Sequence, residues 1–130
     1  MKANFIKFLS NPRYIAIIYL IVAALSAISK FNRGPEKYNN YLIFKNVIFH
    51  TVEEKNLYGS YPAEYWDHNH YGIFFSLLIA PFALMPDWLG MTLWNVANAL
   101  LFLYAIKSLP FTSQYKAFFA WLCLQEFITA

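Results

Sequence analysis

The chain has 130 residues, of which 59% are hydrophobic, 21% aromatic and only 13% charged, with a formal net charge of +3. A typical soluble domain carries about a quarter charged residues and far fewer aromatics, so this composition excludes a soluble globular domain. The four glycines form no phosphate-loop or dinucleotide pattern, and a single apolar-flanked cysteine, Cys123, says nothing about disulfides.

Residues 1–13 carry Lys2, Lys7 and Arg13 and no acid. Tyr14 to Ser29 is then an uncharged apolar run of 16 residues, closed by Lys30. It is slightly short for a hydrocarbon core of ~30 Å, but Arg13 and Lys30 can snorkel to extend it, so it predicts a first membrane span. A cleaved signal peptide is the competing reading, with weak small-residue sites at Ala24-Leu25-Ser26 or Ser26-Ala27-Ile28. Lys and Arg favour the cytoplasmic side, which places the N-terminus on the cytoplasmic side of the inner (cytoplasmic) membrane and residues 30–70 outside.

This external segment holds five of the seven acidic residues and all three histidines. Residues 39–54 predict an interfacial amphipathic helix, capped by Asn39 or Asn40, with Tyr41, Phe44, Ile48 and Val52 on its apolar face. Lys45 breaks that face, while Asn46, His50, Glu53 and Glu54 are expected to face water. A turn-rich aromatic loop, Asn56 to Pro62, follows, and then Glu64-Tyr65-Trp66-Asp67-His68-Asn69-His70-Tyr71 leads toward the next apolar run.

From Tyr71 to Ile106 the only charged side chain is Asp87. A second span is expected over 71–86, interrupted by Pro81, and a third over 88–106, with Asp87 on the cytoplasmic side between them. That assignment leaves Lys107 and Lys116 outside, against the usual charge bias. A fourth apolar run covers 117–130 and stops at Thr129-Ala130 without a polar tail, so the chain is expected to be the N-terminal part of a longer polytopic protein. The predicted fold is all-α, an integral membrane protein with several spans and one external loop carrying the interfacial helix.

Several pieces, in this order, resemble glycosyltransferase family 87, membrane enzymes of the GT-C fold. They are Asn40-Tyr41-Leu42-Ile43-Phe44, Glu54-Lys55-Asn56-Leu57-Tyr58, Ala80-Pro81-Phe82-Ala83-Leu84-Met85-Pro86 and Leu93-Trp94-Asn95-Val96-Ala97-Asn98-Ala99-Leu100. The resemblance covers about residues 14–130. It implies transfer of a hexose, often mannose, from a polyprenyl-phosphate sugar donor to a glycolipid or glycan acceptor outside the membrane, with the lipid bilayer as partner. No cofactor, metal or nucleic acid is implied.

In that family the base is usually an Asp in the first external loop, and Asn40 stands at its position. An amide cannot act as a base, so the role passes to another carboxylate, Asp67 or Glu36, or lies outside these residues, or the enzyme is inactive. Asp67 is the stronger candidate, because a place between Trp66 and Tyr71 at the membrane edge would desolvate it. A solvated interfacial residue is the plain alternative. Tyr61, Trp66 and His70 are candidates for substrate contact, although Tyr61, Tyr65 and Trp66 also fit an interfacial aromatic belt. Asp67-His68-x-His70 lacks a standard zinc-ligand spacing. Asn95 and Asn98 suit interhelical hydrogen bonds, and Glu126 is a costly charge in an apolar run. An ion-coupled secondary transporter using Glu126, or a non-catalytic membrane scaffold, are the other function classes the sequence leaves open.

Overall fold

The computed structural model describes residues 2–129, whose regular structure is all helix, with no strand among them. Six α-helices occur in order: α1 Lys2–Leu9, α2 Pro12–Asn32, α3 Asn39–Val52, α4 Ile73–Ala83, α5 Asp87–Ser108 and α6 Ser113–Thr129, with a 3-10 turn at Pro35–Lys37. Two of these, α2 and α5, are long and apolar enough to cross a membrane. Only 22% of either apolar window is buried, whereas a soluble protein's core helix would be mostly covered. Ile17, Ile21, Leu25, Leu100 and Leu101 all lie exposed.

Local signals set the helix ends. Asn11 caps α2, its Oδ1 accepting from the Arg13 N–H at 2.9 Å, and Pro12 occupies the first turn, where its missing N–H costs nothing. α2 runs past the predicted 14–29 because charged residues at the membrane edge remain good helix formers. It ends before Gly34, whose φ of 98° suits a residue without Cβ. α3 stops at a Schellman turn: Lys55 N–H reaches the His50 carbonyl at 2.9 Å and Glu54 N–H the Thr51 carbonyl at 3.3 Å, with Glu54 left-handed at φ 54°.

The chain forms two compact units, residues 1–26 with 95–130 and residues 27–94. In the first, parts of α2, α5 and α6 pack round Tyr19, whose hydroxyl donates to the Ala120 carbonyl and whose ring meets Phe102 and Phe127. Ala23, Ala99, Ala117 and Ala120 are buried there, small side chains that let helices approach closely. Trp121 Nε1 donates to the Leu9 carbonyl at 2.8 Å and ties α6 to α1.

In the second unit, Ala27 of α2, Tyr38, Tyr41 of α3 and Met91 of α5 share one buried cluster. α3 packs on α4, and it is covered on two sides. One side bears Tyr41, Phe44 and Lys45. Phe44 meets Phe75 at 5.3 Å and Trp94 at 6.1 Å between ring centres, and Lys45 Nζ lies 2.5 Å from Asp87 Oδ1. The other side bears Asn39, Ile43, Val47 and His50, all buried.

Two expectations change here. The water-facing role predicted for His50 is wrong, because His50 is 2% exposed while Val52, predicted to be apolar-facing, is 72% exposed. Periodicity placed Tyr41 and Phe44 on a covered side, but the loop after α3 folds back over a second side, which buries Ile43, Val47 and His50. The predicted second span over 71–86 is an 11-residue helix, and at 1.5 Å per residue it is only about 16 Å long.

Candidate functional site

Three asparagines hold the loop of residues 56–71 in place. Asn56 Oδ1 accepts from Tyr58 N–H at 3.0 Å and makes the first turn. Asn69 is buried; its Nδ2 donates to the Leu57 and Tyr71 carbonyls, and its Oδ1 accepts from Tyr71 N–H at 2.9 Å. Asn39, at the start of α3, accepts from Trp66 N–H at 3.0 Å, and its Nδ2 is buried without a partner. The loop therefore returns onto α3 by asparagine side-chain hydrogen bonds to its backbone rather than by apolar burial alone.

That return assembles a polar cluster. His50 Nε2 lies 2.7 Å from Glu64 Oε2, a charge-assisted distance. The Tyr61 ring sits 4.0 Å from the imidazole, and Tyr65 lies 6.2 Å away on another side. Tyr61 is itself anchored, its hydroxyl donating to the Asn56 carbonyl at 2.7 Å. Burial pushes the Tyr65 hydroxyl up, with Glu64 and Tyr61 adding to it, so Tyr65 stays a neutral donor at ordinary pH. Glu64 keeps 33% of its side chain exposed, so a buried histidine holds a carboxylate that still meets solvent. Such a pair can take a proton from an incoming hydroxyl.

The sequence candidates fare unequally. Tyr61 joins the cluster. Asp67 does not: its side chain is 50% exposed and its Oδ1 accepts from the neighbouring His68 N–H at 2.8 Å, so the protein's own side chains do not bury it. Asn40 is exposed on α3, beside the buried Asn39. The Trp66 ring and His70 are also exposed. Glu36 and Glu126 lie outside the cluster, in the 3-10 turn and in α6. His68 Nδ1 stands 3.9 Å from Asp67, and among the described residues no group of three or more His, Cys, Asp or Glu could hold a metal ion.

Sequence reasoning missed His50 and Glu64, the pair at the centre. They lie 14 residues apart across a loop, and no spacing rule joins them. The only usable signal was the density of Asn, Tyr and Gly in 56–71, which marks a structured turn rather than a slack connector. Comparison with known protein families, with curated proteins and with solved structures finds no match for this chain.

Proposed function

We propose that this protein is a membrane glycosyltransferase that moves a hexose, such as mannose, from a polyprenyl-phosphate donor to a glycolipid or glycan on the outer face of the cytoplasmic membrane. One observation carries the reading. The sequence pieces behind the family resemblance are degenerate singly, yet three of them, the first some forty to fifty residues from the other two, meet in the second unit. The Tyr41 hydroxyl donates to the Phe82 carbonyl at 3.1 Å, and the rings of Phe44 and Phe82 both pack on Trp94.

On the other side of α3, the His50–Glu64 cluster offers a carboxylate for the proton that the transfer releases. An acceptor oxygen attacks the anomeric carbon and gives its proton to the Glu64 carboxylate. The bond from that carbon to the phosphate oxygen breaks, and its electron pair leaves with the polyprenyl phosphate. Glu64 is the proposed catalytic base and His50 a positioning residue that fixes the carboxylate. Tyr61 and Tyr65 wall the pair.

The test is transfer of labelled hexose from polyprenyl-phosphate donors in membranes containing the protein. Glu64→Gln should cut transfer roughly 100-fold or more at unchanged protein level, the usual scale for a lost general base. His50→Gln should move the pH–rate profile as well as lower the rate, which a purely structural role would not do. Full transfer by Glu64→Gln removes Glu64 from the chemistry. No transfer by the unaltered protein from any such donor removes the activity itself.

A further inference from the structure

We infer that α4 does not cross the membrane: it lies in one leaflet, with its exposed apolar face against lipid acyl chains, and residues 33–87 all stay on one side. This does not rest on the proposed activity. The first observation is length, because a helix of about 16 Å spans only half of a ~30 Å hydrocarbon core. The second is the Lys45–Asp87 ion pair, which joins a residue before α4 to the residue after it. Asp87 opens α5 and Lys45 sits in α3, so the two flanks of α4 share a side. The Tyr41 hydroxyl on the Phe82 carbonyl repeats the point one turn earlier in α4. The third is the cluster of Ala27, Tyr38, Tyr41 and Met91, which brings the end of α2 and the start of α5 to one place. The chain leaves the first long helix and enters the second at the same level.

What covers α4 follows from its two faces. Ser76, Ile79 and Ala83 are buried. Phe74, 90% exposed, and Ile73, Leu77, Leu78 and Leu84 stand free on the rest of the surface. A contiguous apolar face flanked in sequence by two membrane-length helices suits acyl chains. Aromatic residues bracket it, with Trp66 and Tyr71 before α4 and Trp88 after it, all exposed as interfacial rings would be.

The charge distribution agrees independently. If α4 does not cross, α5 carries the chain back, and Lys107 and Lys116 join Lys2, Lys7 and Arg13. Residues 1–13 and 107–116 then hold five of the ten Lys and Arg and none of the acidic residues. The other five are spread through 30–87 among six of the seven acids. Basic residues concentrated in short segments mark the cytoplasmic side, so the conflict left by a crossing 71–86 segment disappears.

Single cysteines at Ser60, Pro86, Trp88 and Thr112, in a Cys123→Ser background, test this in intact cells with a membrane-impermeant thiol reagent. Positions 60, 86 and 88 should label without permeabilisation, and position 112 only after it. Labelling of 86 and 88 from the side opposite to 60 overturns the inference. The lipid contact has its own readout. A spin label at Leu77→Cys should be reached by oxygen in preference to a water-soluble nickel chelate, at a depth within one leaflet. Water-like accessibility, or a depth at the bilayer centre, overturns it.

Discussion

The Tyr41 hydroxyl finds the Phe82 carbonyl because Pro86, four residues further along, has no N–H to offer it. Met85 N–H reaches that carbonyl at 3.2 Å, and Tyr41 at 3.1 Å completes its hydrogen bonding. Tyr41→Phe should therefore destabilise the second unit by about 1 kcal/mol, read from unfolding in detergent. The same residue gives a pH dependence. Burial, then Asp87 and Tyr38, push its hydroxyl up to about 12 from an ordinary 10.0. The folded state keeps this proton where the unfolded chain loses it. The associated stability is complete below pH 10 and drains away as pH rises toward 12. An alkaline titration of phenolate absorbance should show a late step that Tyr41→Phe makes smaller; an unchanged late step would show that other tyrosines carry it. Asp67 offers the contrast. Half exposed and bonded only within its own turn, Asp67→Asn should leave transfer close to that of the unaltered protein, against the expectation from sequence.

Between elements, the tightest approach is at Gly90. A Cβ there would strike the Phe82 carbonyl and the Tyr41 hydroxyl together. Both partners are fixed, one as backbone and one by its hydrogen bond, so Gly90→Ala should cost about 1–3 kcal/mol and loosen α3 and α4 from the start of α5. Glu54 is the reverse case. It holds the left-handed position of the Schellman turn, where a side chain costs about 1 kcal/mol and glycine costs far less. Glu54→Gly should raise stability by about 0.5 kcal/mol, once the looser unfolded chain is counted. A fall in melting temperature would mean the Glu54 side chain has a role beyond its turn. Neither the close approach at Gly90 nor the left-handed turn at Glu54 was legible in the sequence. The places of α2, α5 and α6 followed from apolar runs, α1 in the basic segment 1–13 had no such signal, and α3 began at the expected Asn39 and ended two residues before the expected 54. A helix buried on two sides by different neighbours carries no single periodic signature, which is why His50 looked like a water-facing residue. Pairs such as His50–Glu64 and Lys45–Asp87 depend on where the chain turns back, and composition contains no such information. The length of α4 was misjudged for a simpler reason: Tyr71, Gly72 and Leu84 to Pro86 are apolar or uncharged but not helical, so hydropathy alone extended the run.

For the whole molecule, the decisive physical question is what surrounds the apolar surface of α2 and α5. Leu25 and Leu101 are 61% and 68% exposed, each near the middle of an apolar helix with most of its surface uncovered. In a water-soluble protein, substitution at such positions changes stability by no more than about 0.5 kcal/mol, and a charge there improves solubility. In a bilayer the same charge costs about 2.5–3.5 kcal/mol at the helix centre. Buried alanines give the opposite pattern. Ala23 and Ala99 lie at 0% exposure beside Tyr19, and either enlarged to leucine should disturb packing by about 1–3 kcal/mol in any solvent. Leu101→Asp should thus lower the amount of protein resisting alkaline extraction from membranes, while Ala99→Leu should leave extraction unchanged and lower thermal stability in detergent. The two variants separate lipid exposure from interior packing because they act on opposite sides of the same helix. If Leu101→Asp were recovered undiminished in the membrane fraction, the exposed surface of α5 would not face lipid, and the reading of α2 and α5 as crossings would fail. Only loss of Leu101→Asp from that fraction, with Ala99→Leu retained, fits helices whose outer surface is solvated by acyl chains.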